Sequence, residues 1–245
     1  MARTSSMSPA ASLAVLASMA QPGILAPVPR VGRYLFFSVA QADAVPEGLA
    51  LLSSVADGNM VVVGLGPLAV AAASGGAAAT GIAGLHEFRP IDSPGARVPA
   101  TPTALFCWLR GDDTGDLVHL TLHLENLLAP GFHLDRAIDA FKHDIGRDLT
   151  GYEDGTENPK GRAALAAALV HGAGAARDGG SLVAVQQWVH DFAAIEALDP
   201  PTQDDIVGRR RSDNVELADA PASAHVKRTA QESFAPEAFV LRRSM

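Results

Sequence analysis

Three carboxylates fall within five positions of the run Gly151-Tyr152-Glu153-Asp154-Gly155-Thr156-Glu157-Asn158-Pro159. Carboxylates move protons or hold cations, so this is the densest concentration of reactive groups in the chain. The bounding glycines and proline make the run a tight loop rather than part of a helix or strand. It reads either as a solvated turn or as a site. It is not a calcium loop, because the ligand alternation and the closing Glu are missing.

The eight histidines raise metal and catalytic readings. His119 and His123 share a helix face, but Leu120-Thr121-Leu122 between them offers no general base, and the structural reading is favoured. His190 is expected to mark a strand end. His225 lies in Pro221-Ala222-Ser223-Ala224-His225-Val226-Lys227-Arg228, where small neighbours would let a bulky planar ligand approach the imidazole; a lone His also serves structural roles. Arg209-Arg210-Arg211 is flanked by Asp204, Asp205, Asp213 and Glu216, which favours a compensated surface or a small anion pocket over nucleic acid. Arg242-Arg243 follow an apolar run and would line a pocket mouth or protect a sheet edge. There is no G-x-S-x-G elbow and no phosphate-cradling P-loop, and Gly64-Leu65-Gly66 lacks the third glycine of a dinucleotide fingerprint.

These residues need elements to hold them. Strands are expected at Arg33–Val39, Met60–Leu65 and Ala104–Arg110 from their apolar, β-branched and aromatic character. Helices are expected at Ala44–Ala56 and Leu117–Leu128, the second capped from Asp112–Asp116. Ala69–Gly84 and Phe132–Gly146 are ambiguous. The pattern approximates two strand–helix–strand units, an α+β ferredoxin-like sheet with helices on one face. Past Thr150, a helix is expected over Ala163–Val170 and strands over Ser181–Trp188 and Ala238–Leu241. Phe192–Leu198 reads as helical, and Gln203–Arg211 as a short polar helix or turn.

The chain has 245 residues, 48% hydrophobic, with a net charge of -8 from 19 basic and 27 acidic side chains. That is enough apolar material for a real core, and the acidic balance disfavours a dominant phosphate-binding face. Cys107 alone excludes an intramolecular disulfide and a cysteine-only metal cluster, and its apolar neighbours make it a buried residue. No segment is long and apolar enough to span a membrane. Residues 1–22 read as an N-terminal extension, a disordered or helical tail with only a weak likeness to a secretion signal, so a cytoplasmic location is expected.

The Gly151–Pro159 run matches the G-x-x-D-G-T-E-N-P signature of dye-decolourising peroxidases. Further motifs follow in order: Gln186-Gln187-Trp188-Val189-His190-Asp191, Val207–Leu217, Ser223–Arg228 and Leu241-Arg242-Arg243-Ser244-Met245. The sequence most resembles the shorter bacterial type B branch. The resemblance implies two ferredoxin-like domains, 23–150 and 151–245, the second binding a b-type haem. It implies His225 as the proximal iron ligand, Asp154 and Arg242 on the distal side, and Ser244 in a further distal position. Arg209 would pair with a haem propionate, and Gly155, Thr156 and Glu157 would line the cofactor.

The implied activity is oxidation of dyes or phenolic donors by hydrogen peroxide through a ferryl species, with Arg242 contributing more than Asp154. Tyr152, Trp108 and Trp188 are either electron relays or packing residues. A homo-oligomer is expected, without nucleic acid or membrane partners. Family chains continue past the Arg242 segment and supply a carboxylate behind the proximal His. The second domain is therefore expected to be incomplete, the sequence a fragment or a truncated product. A haem-handling protein with little turnover and an inactive module remain as alternatives.

Overall fold

A computed structural model describes residues 9–75, 82–174, 177–237 and 239–245. The chain divides into two compact units. The first is Met1–Phe141 with Leu169–Val183, and the second is Lys142–Ala168 with Ala184–Met245.

In the first unit, the extension expected as a disordered or helical tail is helical where it is described, as α1 (Pro9–Met19). Its run of Ala, Leu and Met favours helix, and Leu16 and Ala20 are buried, which gives the helix a packed face. After α2 (Pro22–Leu25) come β1 (Val31–Val39), α3 (Val45–Ser53), β2 (Val61–Leu65) and α4 (Pro67–Ala73). The turn-rich segment expected over Pro90–Pro102 holds a small hairpin, β3 (Ile91–Ser93) with β4 (Ala96–Val98). Then follow β5 (Leu105–Gly111), α5 (Thr114–Leu128) and β6 (Phe132–Phe141), the last settling an ambiguous stretch as a strand.

The sheet order is β2-β5-β1-β6, with every adjacent pair antiparallel. Each outer strand is reached from an inner one across a helix, which is the ferredoxin-like arrangement expected from the sequence. Strand alternation puts Leu35, Phe37, Leu105, Cys107 and Leu109 on the buried face, where Leu35 pairs with Cys107 and Phe37 with Leu105. Helix periodicity turns Leu117, Thr121, Leu124 and Leu128 of α5, and Val45, Gly48 and Leu52 of α3, inward. Each fully buried aliphatic or aromatic side chain contributes about 1.5–3 kcal/mol. Asp113 caps α5 by accepting from the Asp116 amide at 3.1 Å, as expected. On the other face of the sheet, Tyr34 stacks on Phe106 and Trp108 at 6.0 and 6.1 Å between ring centroids, and Phe36 meets Phe106 at a tilt, 5.5 Å apart.

Edge strand β2 gains a non-strand neighbour. The Gln21 side chain donates from Nε2 to the Val63 carbonyl and accepts at Oε1 from the Val63 amide, both at 2.7 Å. A carboxamide carries a donor and an acceptor in one plane, as a peptide group does, so it completes the pairing a missing strand would give.

The second unit is held by short elements. They are α6 (Arg162–Ala168), α7 (Phe192–Glu196), α8 (Pro200–Val207) and α9 (His225–Arg228). Asp191 and Asp199 cap α7 and α8, and Pro200 opens α8 where its missing N–H costs nothing. The strands expected at Ser181–Trp188 and Ala238–Leu241 do not form. Ala238 lies outside the described residues, and the rest of both segments joins no sheet. An apolar, β-branched run becomes a strand only where a neighbour supplies a ladder of hydrogen bonds. His190 therefore marks no strand end, and Trp188 is 72% exposed rather than packed. Among the described residues no helix is long and apolar enough to cross a membrane.

Candidate functional site

The acidic loop is built on a small hairpin over residues 146–154. The Asp148 amide donates to the Tyr152 carbonyl at 2.9 Å, and the Asp154 amide donates to the Gly146 carbonyl at 3.0 Å. Arg147 braces it, donating to the Gly151 carbonyl at 2.7 Å and to Glu153 at 3.3 Å. The buried Tyr152 hydroxyl donates to Asp204 of α8 at 2.7 Å. Burial, then that carboxylate, push the Tyr152 hydroxyl well above the usual phenol range, so it stays a donor.

Asp154 is exposed, and its Oδ1 accepts from the Gly155 amide at 2.8 Å. The chain then turns, the Asn158 amide donating to the Gly155 carbonyl at 3.0 Å. Gly155 has φ +73°, and a Cβ there would lie 2.7 Å from Asn158 Nδ2, so glycine both permits the turn and makes room for the amide.

A second hairpin spans residues 208–217. The Arg210 amide donates to the Val215 carbonyl at 3.0 Å and the Leu217 amide to the Gly208 carbonyl at 2.9 Å. Its turn places Asn214 at φ 58°, a left-handed conformation that Asn tolerates. Asn214 Nδ2 donates to Glu153 at 3.0 Å and to the Thr156 hydroxyl at 2.9 Å, joining the two hairpins. Arg209, with an 11% exposed side chain, donates to the Asn214 carbonyl at 2.9 Å, to Glu216 at 3.3 Å and to the exposed Glu157. Glu216 also accepts from Lys227 of α9 at 2.8 Å. That hydrogen bond holds the Glu216 carboxyl below its ordinary value. The Arg210–Asp213 ion pair at 2.9 Å makes the arginine run a locally compensated surface, one of its two expected readings.

His225 is exposed and opens α9, and its ring forms no hydrogen bond among the described residues. Its small neighbours have a packing role that the sequence reading did not foresee. Gly208, at φ +86°, ends α8 and receives this segment. A Cβ on Gly208 would lie 2.4 Å from Val226 Cγ2 and 3.2 Å from Ala224 Cβ. Ala224 is fully buried there. One glycine thus brings the His225 segment against the Arg209 segment.

Arg242 arrives from the far end of the unit, half-buried. Its amide donates to Asn158 Oδ1 at 2.8 Å, and Asn158 Nδ2 donates to its carbonyl at 2.9 Å. Ser244 is exposed two residues further on. Of the expected residues, Thr156, Glu157 and Arg209 are joined directly or through Asn214, while Gly155 bonds Asp154 and Asn158. Asp154 and Arg242 are linked through Asn158, and His225 is linked to Arg209 through Lys227 and Glu216. No bond ties Ser244 to this network among the described residues.

Sequence reasoning gave no role to Arg147, Asn158, Gly208 or Asn214, and gave Asp204 only that of a charge flanking the arginine run. Gly208 and Asn214 were detectable as residues that favour a left-handed backbone beside an arginine run. Among the described residues no group of three or more His, Cys, Asp or Glu is arranged to hold a metal ion. His119 and His123 are both exposed on α5. The site instead offers an exposed imidazole, a guanidinium that holds carboxylates, an exposed carboxylate and a backbone-anchored arginine.

The chain is similar to known proteins. Residues 146–245 match the family model described as Dyp-type peroxidase, C-terminal. A dye-decolorizing peroxidase of Mycolicibacterium paratuberculosis is 32% identical over 144 residues, which are 58% of this chain and 41% of that protein. One from Rhodococcus erythropolis is 29% identical over 230 residues, 89% of this chain and 66% of that protein. A Rhodococcus jostii RHA1 DypB variant in complex with heme shares the fold with a TM-score of 0.69 at 23% identity, over 82% of this chain and 69% of that one. The chain thus spans about two-fifths of the mycobacterial relative and two-thirds of the rhodococcal one. Over residues 146–245, this chain is thus similar to the C-terminal part of Dyp-type peroxidases.

Proposed function

We propose that this chain provides the haem site of a peroxidase that uses hydrogen peroxide to oxidise dyes or phenolic donors. One observation carries the reading. A continuous set of side-chain bonds runs from α9 through Lys227, Glu216, Arg209 and Glu157 to the acidic loop, and through Asn158 to Arg242. Motifs 84 residues apart are thereby assembled into one site.

The residues present fit a b-type haem. A single free imidazole without companion ligands suits an iron that brings its other ligands in a macrocycle. Arg209 already binds two carboxylates, and a haem propionate offers the same group. Bound haem supplies the redox chemistry between peroxide and donor. His225 would hold the iron through its imidazole. Arg209 would hold a propionate in competition with Glu157, whose exposed side chain can swing away at little cost. Gly155 and Thr156 keep the loop that faces the cofactor in shape.

Peroxide must lose a proton from one oxygen and gain one on the other before its O–O bond breaks. Asp154 can carry that proton on the carboxylate oxygen not used by the Gly155 amide. The Arg242 guanidinium would stabilise negative charge on the departing oxygen. Ser244 would add a hydroxyl donor on the same side.

A hemin titration of the full chain beside His225→Ala tests the reading, followed by rapid mixing with peroxide. The expected result is a saturable Soret band that His225→Ala abolishes, and a peroxide reaction that Arg242→Ala slows by about 10²–10³-fold. A band indifferent to His225 would overturn the haem assignment. A His225-dependent band without peroxide reactivity would replace the peroxidase with a haem-handling protein.

A further inference from the structure

The peroxidase reading gives Asn158 no chemistry, yet its side chain bonds both backbone groups of Arg242, the amide and the carbonyl. We propose that Asn158 is a positioning residue that fixes Arg242 relative to Asp154 by acting as a substitute strand. The proposal rests on the peroxidase reading for the roles of those two residues.

The geometry supports it at each step. Phe239–Leu241 has no strand neighbour among the described residues, so sheet pairing does not fix where Arg242 lies. The Asn158 carboxamide accepts from the Arg242 amide and donates to the Arg242 carbonyl, two well-formed bonds at 2.8 and 2.9 Å. An ionised carboxylate has no donor, and a hydroxyl has a single oxygen for both roles, so neither reproduces the planar pair. The first unit uses the same device, with Gln21 on Val63 at 2.7 Å in both directions, on the outer edge of β2 away from β5. Asn158 is itself held by its amide bond to the Gly155 carbonyl, one residue from Asp154. The absence of a side chain at Gly155 leaves the space that Nδ2 occupies. Asp154 and Arg242 are therefore connected by one turn and one amide, and the spacing between a proton-carrying carboxylate and a charge-stabilising guanidinium is set there.

Amide hydrogen exchange of the full haem-free chain reads the clamp directly. Asn158→Ala should speed exchange at the Arg242 amide by about tenfold, the worth of one hydrogen bond. Asn158→Asp keeps the acceptor and loses the donor, so the Arg242 amide should stay protected. Protection at Asp148 and Leu217, in the two hairpins, should change in neither variant. Unchanged exchange at Arg242 in Asn158→Ala, or equal loss across the whole second unit, would overturn the proposal.

The second readout is the peroxide reaction of the hemin-loaded chain. Asn158→Ala should slow it by about tenfold or more while hemin affinity is kept, with Asn158→Asp between it and the parent. An undiminished rate with a deprotected Arg242 amide would overturn the positioning role. A parent chain that binds no hemin defeats the peroxidase reading, whereas the exchange result tests the clamp on its own.

Discussion

Gly208 is the residue on which the meeting of the Arg209 and His225 segments depends, and Gly208→Ala should be among the most damaging single-methyl changes in the second unit. The backbone at φ +86° alone costs an L-residue about 1–2 kcal/mol. The added Cβ would then lie 2.4 Å from Val226 Cγ2 and 3.2 Å from Ala224 Cβ, and forcing a methyl into such a space costs a further 1–3 kcal/mol, roughly. The expected total is about 2–5 kcal/mol. Gly161→Ala supplies the control, because Gly161 has φ +55° in the same unit with nothing within 4 Å of its Cβ position. That change should carry the backbone cost alone. Urea unfolding followed by circular dichroism measures both. Val226→Ala in the Gly208→Ala background removes the clashing methyl group and should recover part of the loss, so the two changes are not additive. Equal destabilisation by Gly208→Ala and Gly161→Ala, or strict additivity with Val226→Ala, would refute the packing argument.

Two further outcomes follow from the local electrostatics. Burial pushes the Asp57 carboxyl up, but the amides of Val61, Asn59 and Met60, at 2.7–3.0 Å, outweigh it and hold it below its ordinary value. A depressed folded pKa stabilises the first unit fully above about pH 5 and less as pH falls past the unfolded value of about 3.9 towards the folded one; Asp57→Ala should flatten that acid limb in urea unfolding and cost about 1–3 kcal/mol at neutral pH. Asp154→Asn keeps an acceptor for the Gly155 amide at an exposed position, so thermal unfolding should show stability within about 0.5 kcal/mol of the parent, and a loss several times larger would show that the carboxylate is structural.

The first unit was largely legible in the sequence. Arg33–Val39, Met60–Leu65 and Leu117–Leu128 carry their periodicity locally, and the Asp113 cap is a short-range signal. Phe132–Phe141 was not, because its pattern alternates only weakly and it is a strand by virtue of pairing with β1. The failures at Ser181–Trp188 and Ala238–Leu241 have the same origin, since propensity names residues that can pair but not the partner. In the site, residue types were legible and their connections were not. Asn158 to Arg242 spans 84 positions, Asn214 to Glu153 spans 61, and Arg209 to Glu157 spans 52. Such bonds leave no periodic trace, and the small residues before His225 were read as room for a ligand when Ala224 is in fact packed on Gly208.

The acidic loop shows why its residues resist separate labels. Tyr152 ties it to α8, Glu153 and Thr156 to Asn214, Glu157 to Arg209, and Asn158 to Arg242. Each of these side chains spends its polar atoms on a different segment of the same unit, so the loop is the point where the other motifs meet. Asp154 differs. Its carboxylate accepts from the adjacent Gly155 amide, and the side chain stays exposed. A carboxylate tied into an ion pair or a tether loses its hydrogen bonds when it takes up a proton, and the tether weakens with it. A carboxylate bonded only within its own turn carries none of the load that holds the other segments. The loop therefore separates its tethers from Asp154 by position, with tethering side chains on either side of one exposed carboxylate.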